Sequence, residues 1–369
     1  MMVSLLRNLL PVFCVGVLLL PLVSCSAAPQ SKQRYFWPPL SDQPKIEYLG
    51  FFQADRDVYR LGANPFVEAV FGREKSQALF TNPYGVYADG RGKFYVTEVG
   101  RRDVMVADLN HGTIGNLKNS KGELPTLKMP TGIVGDPQGN IYVVDSVGLK
   151  ILVFGPDDTL RSEWALDGVM RPLSLAVDVA RKRIYLVDTD QHKIFVLDQQ
   201  NGNVLFSLGK RGSGPGEFNF PLDVDLDADG NLYVLDAMNA RVQVFAPDGA
   251  FLRAFGERGT AIGSFQIPKG LAVSPAGQVY VTDSLAHRLV VFSLEGEYLM
   301  TIGGKFVSRD GQMAPGGFYL PGDIDADATN GLWIVDTLNR MVHHFQYLDD
   351  DYLLQHPILP GQAVLPVTH

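Results

Sequence analysis

A chain of 369 residues, 46% hydrophobic and 20% charged, exceeds what a single hydrophobic core usually sustains, so it must be several domains or a repeat array. Its 38 glycines and 23 prolines favour turns over long helices, and a formal charge of −8 argues against a general nucleic-acid binder. Only Cys14 and Cys25 are present, which excludes a disulfide framework, a thiol redox pair or a thiolate metal site beyond residue 25.

The first 24 residues read as an export signal. Arg7 precedes a run of Leu9, Leu10, Val12, Phe13, Val15 and Val17 through Leu20, which is shorter than the roughly 20 residues of a membrane span. The run ends in Leu22-Val23-Ser24-Cys25, which resembles the bacterial lipoprotein cleavage box. That resemblance implies that the Cys25 thiol is acylated and heads the mature chain, with enough acyl chains for stable anchoring. Loss of Arg7 would take the charge from −8 to −9. Ser26 stands where an Asp commonly signals inner-membrane retention, so the resemblance favours the outer membrane. Residues 25–45 are expected to be a tether with four prolines, in which Tyr35, Phe36 and Trp37 either dock on the domain or lie at the membrane interface. Residues 45–53, KIEYLGFFQ, have the pattern of an outer strand, and PFVEAVFG at 65–72 reads as a short helical excursion.

Beyond residue 80 one pattern recurs six times: a proline, a short apolar stretch, an Asp/Gly turn, an apolar-aromatic strand ending in an acid, and a further strand. Residues 220–256, FPLDVDLDADGNLYVLDAMNARVQVFAPDGAFLRAFG, are the clearest copy. The terminal acids are Glu98, Asp145, Asp188, Asp236, Asp283 and Asp336, spaced 47, 43, 48, 47 and 53 residues apart. Such periods, with four strand-like segments each, indicate propeller blades. IYVVD, LYVLD and VYVTD are β-branched and aromatic runs suited to strands buried on both faces, and DADGN and DPQGN supply hairpin turns. The pattern resembles the NHL repeat over roughly residues 80–350, which implies an all-β, six-bladed propeller of four-stranded antiparallel blades. The propeller is expected to span 46–356, with a tail at 357–369. Blade 1 departs most, with Glu98 for Asp and Asp103 where a base is expected. The ring can be closed by 45–53 or by DYLLQH at 351–356, and the amino-terminal segment is preferred.

Three constellations invite a chemical reading. Each strand-ending acid is followed five residues on by Asp103, Lys150, Lys193, Arg241, Arg288 or Met341; repetition in every blade points to architecture, with the acid accepting turn N–H groups and pairing with the base. The run Gly212-Ser213-Gly214-Pro215-Gly216 joins an outer strand to the next blade and opens no helix, so it is not a dinucleotide loop. On the inner strands, Asp223, Asp225, Asp323 and Asp325 share the channel-facing side. Solvated acids lining a wet channel are the preferred reading, and a Ca²⁺ site on these four oxygen donors is the alternative. No histidine falls on an inner strand, which argues against a zinc hydrolase or lyase.

What remains is a surface. The loops linking second to third strands and each outer strand to the next blade share one rim, and carry Arg102, His192, Arg211, Arg258, His287, Arg309 and Arg340; the opposite rim is rich in Asp and Glu. The expectation is a monomeric, charge-polarised disc whose long-loop face binds an envelope protein or acidic glycan, with no cofactor and no catalysis. A Ca²⁺-supported hydrolase or lyase at the channel mouth is the alternative.

Overall fold

The structure is a computed structural model that describes residues 34–39, 43–59, 76–308 and 313–359. The export signal, Cys25, the 65–72 segment and Arg309 lie outside the described residues. Six sheets are arranged as blades. Their inner strands are Pro83–Ala88, Pro130–Gly135, Pro172–Asp178, Pro221–Leu226, Pro268–Val273 and Pro321–Ala326, each paired outward to the next strand in sequence. Each inner strand neighbours the next around the axis, and the sixth packs against the first. Among the described residues no helix is long and apolar enough to cross a membrane.

Each blade opens with a proline followed by a register shift, as between Pro221 and Asp223 or Pro268 and Gly270. Proline donates no ladder hydrogen bond, so it sits where pairing begins, and the bulge after it bends the strand toward the axis. The inner strands then approach so closely that side chains must be small. A Cβ on Gly85 would lie 2.4 Å from the Thr131 carbonyl oxygen, and one on Gly132 would lie 2.5 Å from that of Leu173.

Among the described residues the hydrophobic core is divided into six clusters, one at each seam between blades. The cluster between blades 4 and 5, for instance, joins Tyr233, Leu235, Val242 and Val244 to Leu271, Val279, Val281 and Phe292. Second and third strands are buried on both faces, as their β-branched composition requires.

The ring is closed by the amino-terminal strand. Ile46–Phe52 pairs antiparallel with Met341–Tyr347 of blade 6, and Tyr35–Trp37 adds a fifth strand outside it. Tyr35, Phe36 and Trp37 therefore dock on the propeller. Trp37 meets Phe345 edge-on at 5.8 Å, while Arg34 grips Glu47 through two 2.7 Å hydrogen bonds. The competing segment is instead a helix, Asp350–Gln355, because the Asp349 carboxylate accepts the Tyr352 N–H at 2.8 Å and two further acids fill its first turn.

Candidate binding face and axial cavity

The acid ending each second strand is architectural. Asp145 accepts N–H bonds from Lys128 and Met129 at 2.9 Å, Asp188 from Met170 and Arg171, Asp283 from Gln266 and Ile267, and Glu98 from Thr81 and Asn82. The chain arriving from the previous blade is thereby fastened to the end of the second strand, and Asp145 and Asp188 also hold their own turns. The expected base pairing is only partial. Arg241 lies 2.9 Å from Asp236 and Arg288 lies 3.3 Å from Asp283, but Lys150 turns to Glu163 at 2.8 Å. Asp336 is contacted instead by His343, whose other ring nitrogen faces the Tyr48 hydroxyl at 3.3 Å. This Tyr-His-Asp line is sealed, with His343 fully buried, and serves to tie the closing strand rather than to meet a substrate.

Four residues after each acid, the residue entering the third strand has a positive φ in every blade: Arg102, Leu149, His192, Ala240, His287 and Arg340 lie between 51° and 59°. His192 and His287, expected as binding residues, have a structural task. Their Nδ1 atoms accept the N–H of Phe220 at 2.9 Å and of Leu320 at 3.1 Å, and those two residues are also left-handed. His192→Ala is expected to cost about 1–2 kcal/mol, because it leaves that amide without its acceptor; chemical denaturation would measure it. Arg258 likewise braces its loop, donating to the carbonyls of Gln266 and Met238. Arg102, Arg211 and Arg340 are exposed on the same rim.

At the axis, the long-loop mouth opens into a cavity of about 410 Å³ lined by residues of all six blades. Tyr84, Arg171 and Lys269 stand around it, with Ser174, Asp223 and Asp323 among the remaining polar walls. The four channel aspartates act across the seams. Asp223 and Asp225 accept the N–H groups of Leu271 and Val273 in blade 5 at 2.7 Å, and Asp323 and Asp325 accept those of Val86 and Ala88 in blade 1 at 2.9 and 2.7 Å. Ser174 of blade 3 adds its hydroxyl to Asp223. These carboxylates thus satisfy inner-edge amides that would otherwise face the channel. Burial pushes all four upward, Asp225 to about 6 and Asp323 to about 7, and the charge of Asp323 adds to the effect of burial at Asp223. Tyr84 is raised to about 12 by burial and by the same two acids, so its phenol stays protonated. Among the described residues, no group of three or more His, Cys, Asp or Glu side chains is placed to hold a metal ion.

Beside its charged residues this face carries exposed apolar ones. Val147, Met238, Leu285 and Leu338 occupy the same turn position, two residues past the acid, in blades 2, 4, 5 and 6, and are 43–56% exposed. Met170, Ile262 and Val307, on the loops entering blades 3, 5 and 6, are also exposed, Ile262 at 79%. The signal was legible as an aliphatic residue inside a turn, where polar residues are expected. Charge separation is weaker than expected, since Arg91, Arg181 and Lys182 lie on the opposite rim, where Asp158 pairs with Lys93 at 2.8 Å.

Comparison with known proteins agrees with this architecture. A family model described as a 6-bladed beta-propeller matches residues 171–253, and one for the NHL repeat matches 265–292. The chain is therefore a six-bladed β-propeller carrying NHL repeat sequence. It is 40% identical over 68 residues to NHL repeat-containing protein 3 of Homo sapiens, a stretch covering 18% of this chain and 19% of that protein. Among solved structures, it is similar to a Bacteroides thetaiotaomicron protein of unknown function, with a TM-score of 0.57, 19% identity, and coverage of 73% and 70% of the two chains. It is also similar to a streptogramin B lyase, with a TM-score of 0.54, 14% identity, and coverage of 73% and 94%. At those identities the likeness is one of fold.

Proposed function

We propose that this chain is a cell-envelope binding scaffold that presents the long-loop face of its propeller to a protein partner whose surface is partly apolar and partly acidic. The exposed aliphatic side chains at one repeated turn position in blades 2, 4, 5 and 6 carry this reading, because apolar side chains held out on a rigid loop platform suit protein contact. It favours a protein over the acidic glycan, which would be held mainly by polar and aromatic groups. Arg102, Arg211 and Arg340 supply the complementary charge. Attachment through lipid on Cys25, with residence at the outer membrane, is supported by Leu22-Val23-Ser24-Cys25 and by Ser26. Metabolic labelling with an alkyne fatty acid tests it: label is expected on the native chain and absent from Cys25→Ala.

The combined change Met238→Ser, Leu285→Ser and Leu338→Ser is expected to lower recovery of the partner in affinity purification more than tenfold. The melting temperature should stay within about 2 °C, because these side chains are half-exposed turn residues outside the core. Unchanged recovery would remove the reading. The second reading, a Ca²⁺-supported hydrolase or lyase at the channel mouth, is favoured by the axial cavity with its two adjoining carboxyls, Asp223 and Asp323. Calcium that raises the melting temperature of the native chain and not of Asp323→Asn would support it.

A further inference from the structure

The residue after each blade's opening proline is Tyr84, Thr131, Leu173, Leu222, Lys269 or Gly322, and five of these six line the axial cavity. They divide its wall. Blades 5, 6 and 1 stand side by side and offer Lys269 and Tyr84, with Gly322 between them contributing no side chain. Blades 3 and 4, across the axis, offer Leu173 and Leu222. Lys269 is the one exposed residue of Pro268–Val273, and among the described residues its ammonium has no ion pair or hydrogen bond. The hydroxyl of the partly buried Tyr84 has no hydrogen-bond partner there either, and as a protonated phenol it is a donor. Arg171, at the mouth, is tied to Asp190 by one ion pair of 3.5 Å, and its charge acts on the Tyr84 phenol. The acids deeper along the inner strands do not occupy these donors. Asp223 and Asp323 accept the Leu271 and Val86 amides, and burial holds both above the usual carboxylate range, which lowers the negative charge beneath the mouth.

We propose that the axial cavity binds a small organic carboxylate with an apolar body, the chemistry shared by a free aliphatic acid and the carboxyl terminus of a peptide. The carboxylate accepts from Lys269 and Tyr84, Arg171 adds positive charge at the mouth, and the body lies along Leu173 and Leu222. A concave site of about 410 Å³ with one apolar wall and a few unengaged donors is the form that small-molecule pockets take. Lys269 and Arg171 set this ligand apart from the Ca²⁺ of the alternative reading, which they repel. The inference rests on the cavity and not on the exposed apolar turn residues, so either can fail without the other.

The test is a titration of the whole chain, followed by the methyl resonance of Met129 on the cavity wall, with isocaproate, acetyl-alanyl-leucine, the amides of both and sodium chloride as separate probes. A saturable shift at millimolar concentration is expected with at least one carboxylate, and with neither amide. Response to the peptide alone would identify a chain terminus as the source, and response to isocaproate a free acid. Lys269→Gln should weaken the binding by about tenfold or more, and Lys269→Arg should keep most of it, since either change at this exposed position leaves the fold intact. Tyr84→Phe should weaken it about fivefold, the worth of one hydrogen bond. The absence of any saturable shift, an equal response to the amides or to sodium chloride, or unchanged affinity in Lys269→Gln would overturn the proposal.

Discussion

A chain lacking everything before Ala54 is expected to lose cooperative folding, compared with one beginning at Arg34. The deletion removes Phe36, Trp37, Ile46 and Tyr48, all buried, and bares the edge of Met341–Tyr347. Four large side chains at about 1.5–3 kcal/mol each amount to roughly 6–12 kcal/mol, which is comparable with the whole stability of a typical domain. Thermal unfolding monitored by circular dichroism should show the sharp transition of the longer chain replaced by a broad one at least 15 °C lower. A shortened chain that melts normally would mean that the ring does not depend on its closing strand. The smaller change Ile46→Asp, which buries an unpaired charge in the same seam, should act in the same direction.

The second large effect is on the pH dependence of stability. Asp225 and Asp323 are pushed up to about 6 and about 7, and Asp223 and Asp325 are also raised, because burial, with neighbouring aspartates adding to it, outweighs the backbone amides they accept. A carboxyl whose folded value lies above its unfolded one favours the fold most when protonated. Its contribution is complete below about pH 4 and is lost as pH rises through 6 to 7. The propeller should therefore be less stable at pH 8 than at pH 5 by an amount on the order of 3 kcal/mol, the reverse of the usual behaviour of salt-bridged carboxylates. Asp323→Asn keeps an acceptor for the Val86 amide without the charge, so it should flatten this slope and gain relative stability at pH 8. Urea unfolding at the two pH values measures both chains, and parallel slopes would contradict the assignment.

Much of the fold was legible because a propeller repeats its evidence. The proline, the turn and the strand-ending acid recur with a period that only blades explain, and each acid proved to fasten the same inter-blade connection. Closure was harder, since 45–53 and 351–356 both carry apolar residues at strand-like spacing. What separates them is Asp349-Asp350-Asp351, a helix-opening run, whereas Ile46 and Tyr48 were apolar enough to be buried. The candidate site was less legible. Charged residues stood out on the loops, yet His192, His287 and Arg258 are engaged in bracing backbone, which depends on the geometry of the next blade and leaves no mark in local sequence. The roles of Asp223 and Asp323 were hidden for the same reason, since their amide partners lie 48 and 237 residues away.

Photo-crosslinking in living cells tests the binding face most directly. A photoreactive amino acid replacing Leu285, on the long-loop face, should capture a discrete protein adduct, whereas the same residue replacing Leu252, exposed on the outer edge of blade 4, should not. Capture at Leu252 alone, or at neither position in cells that express the chain, would contradict the assignment of that face as the docking surface.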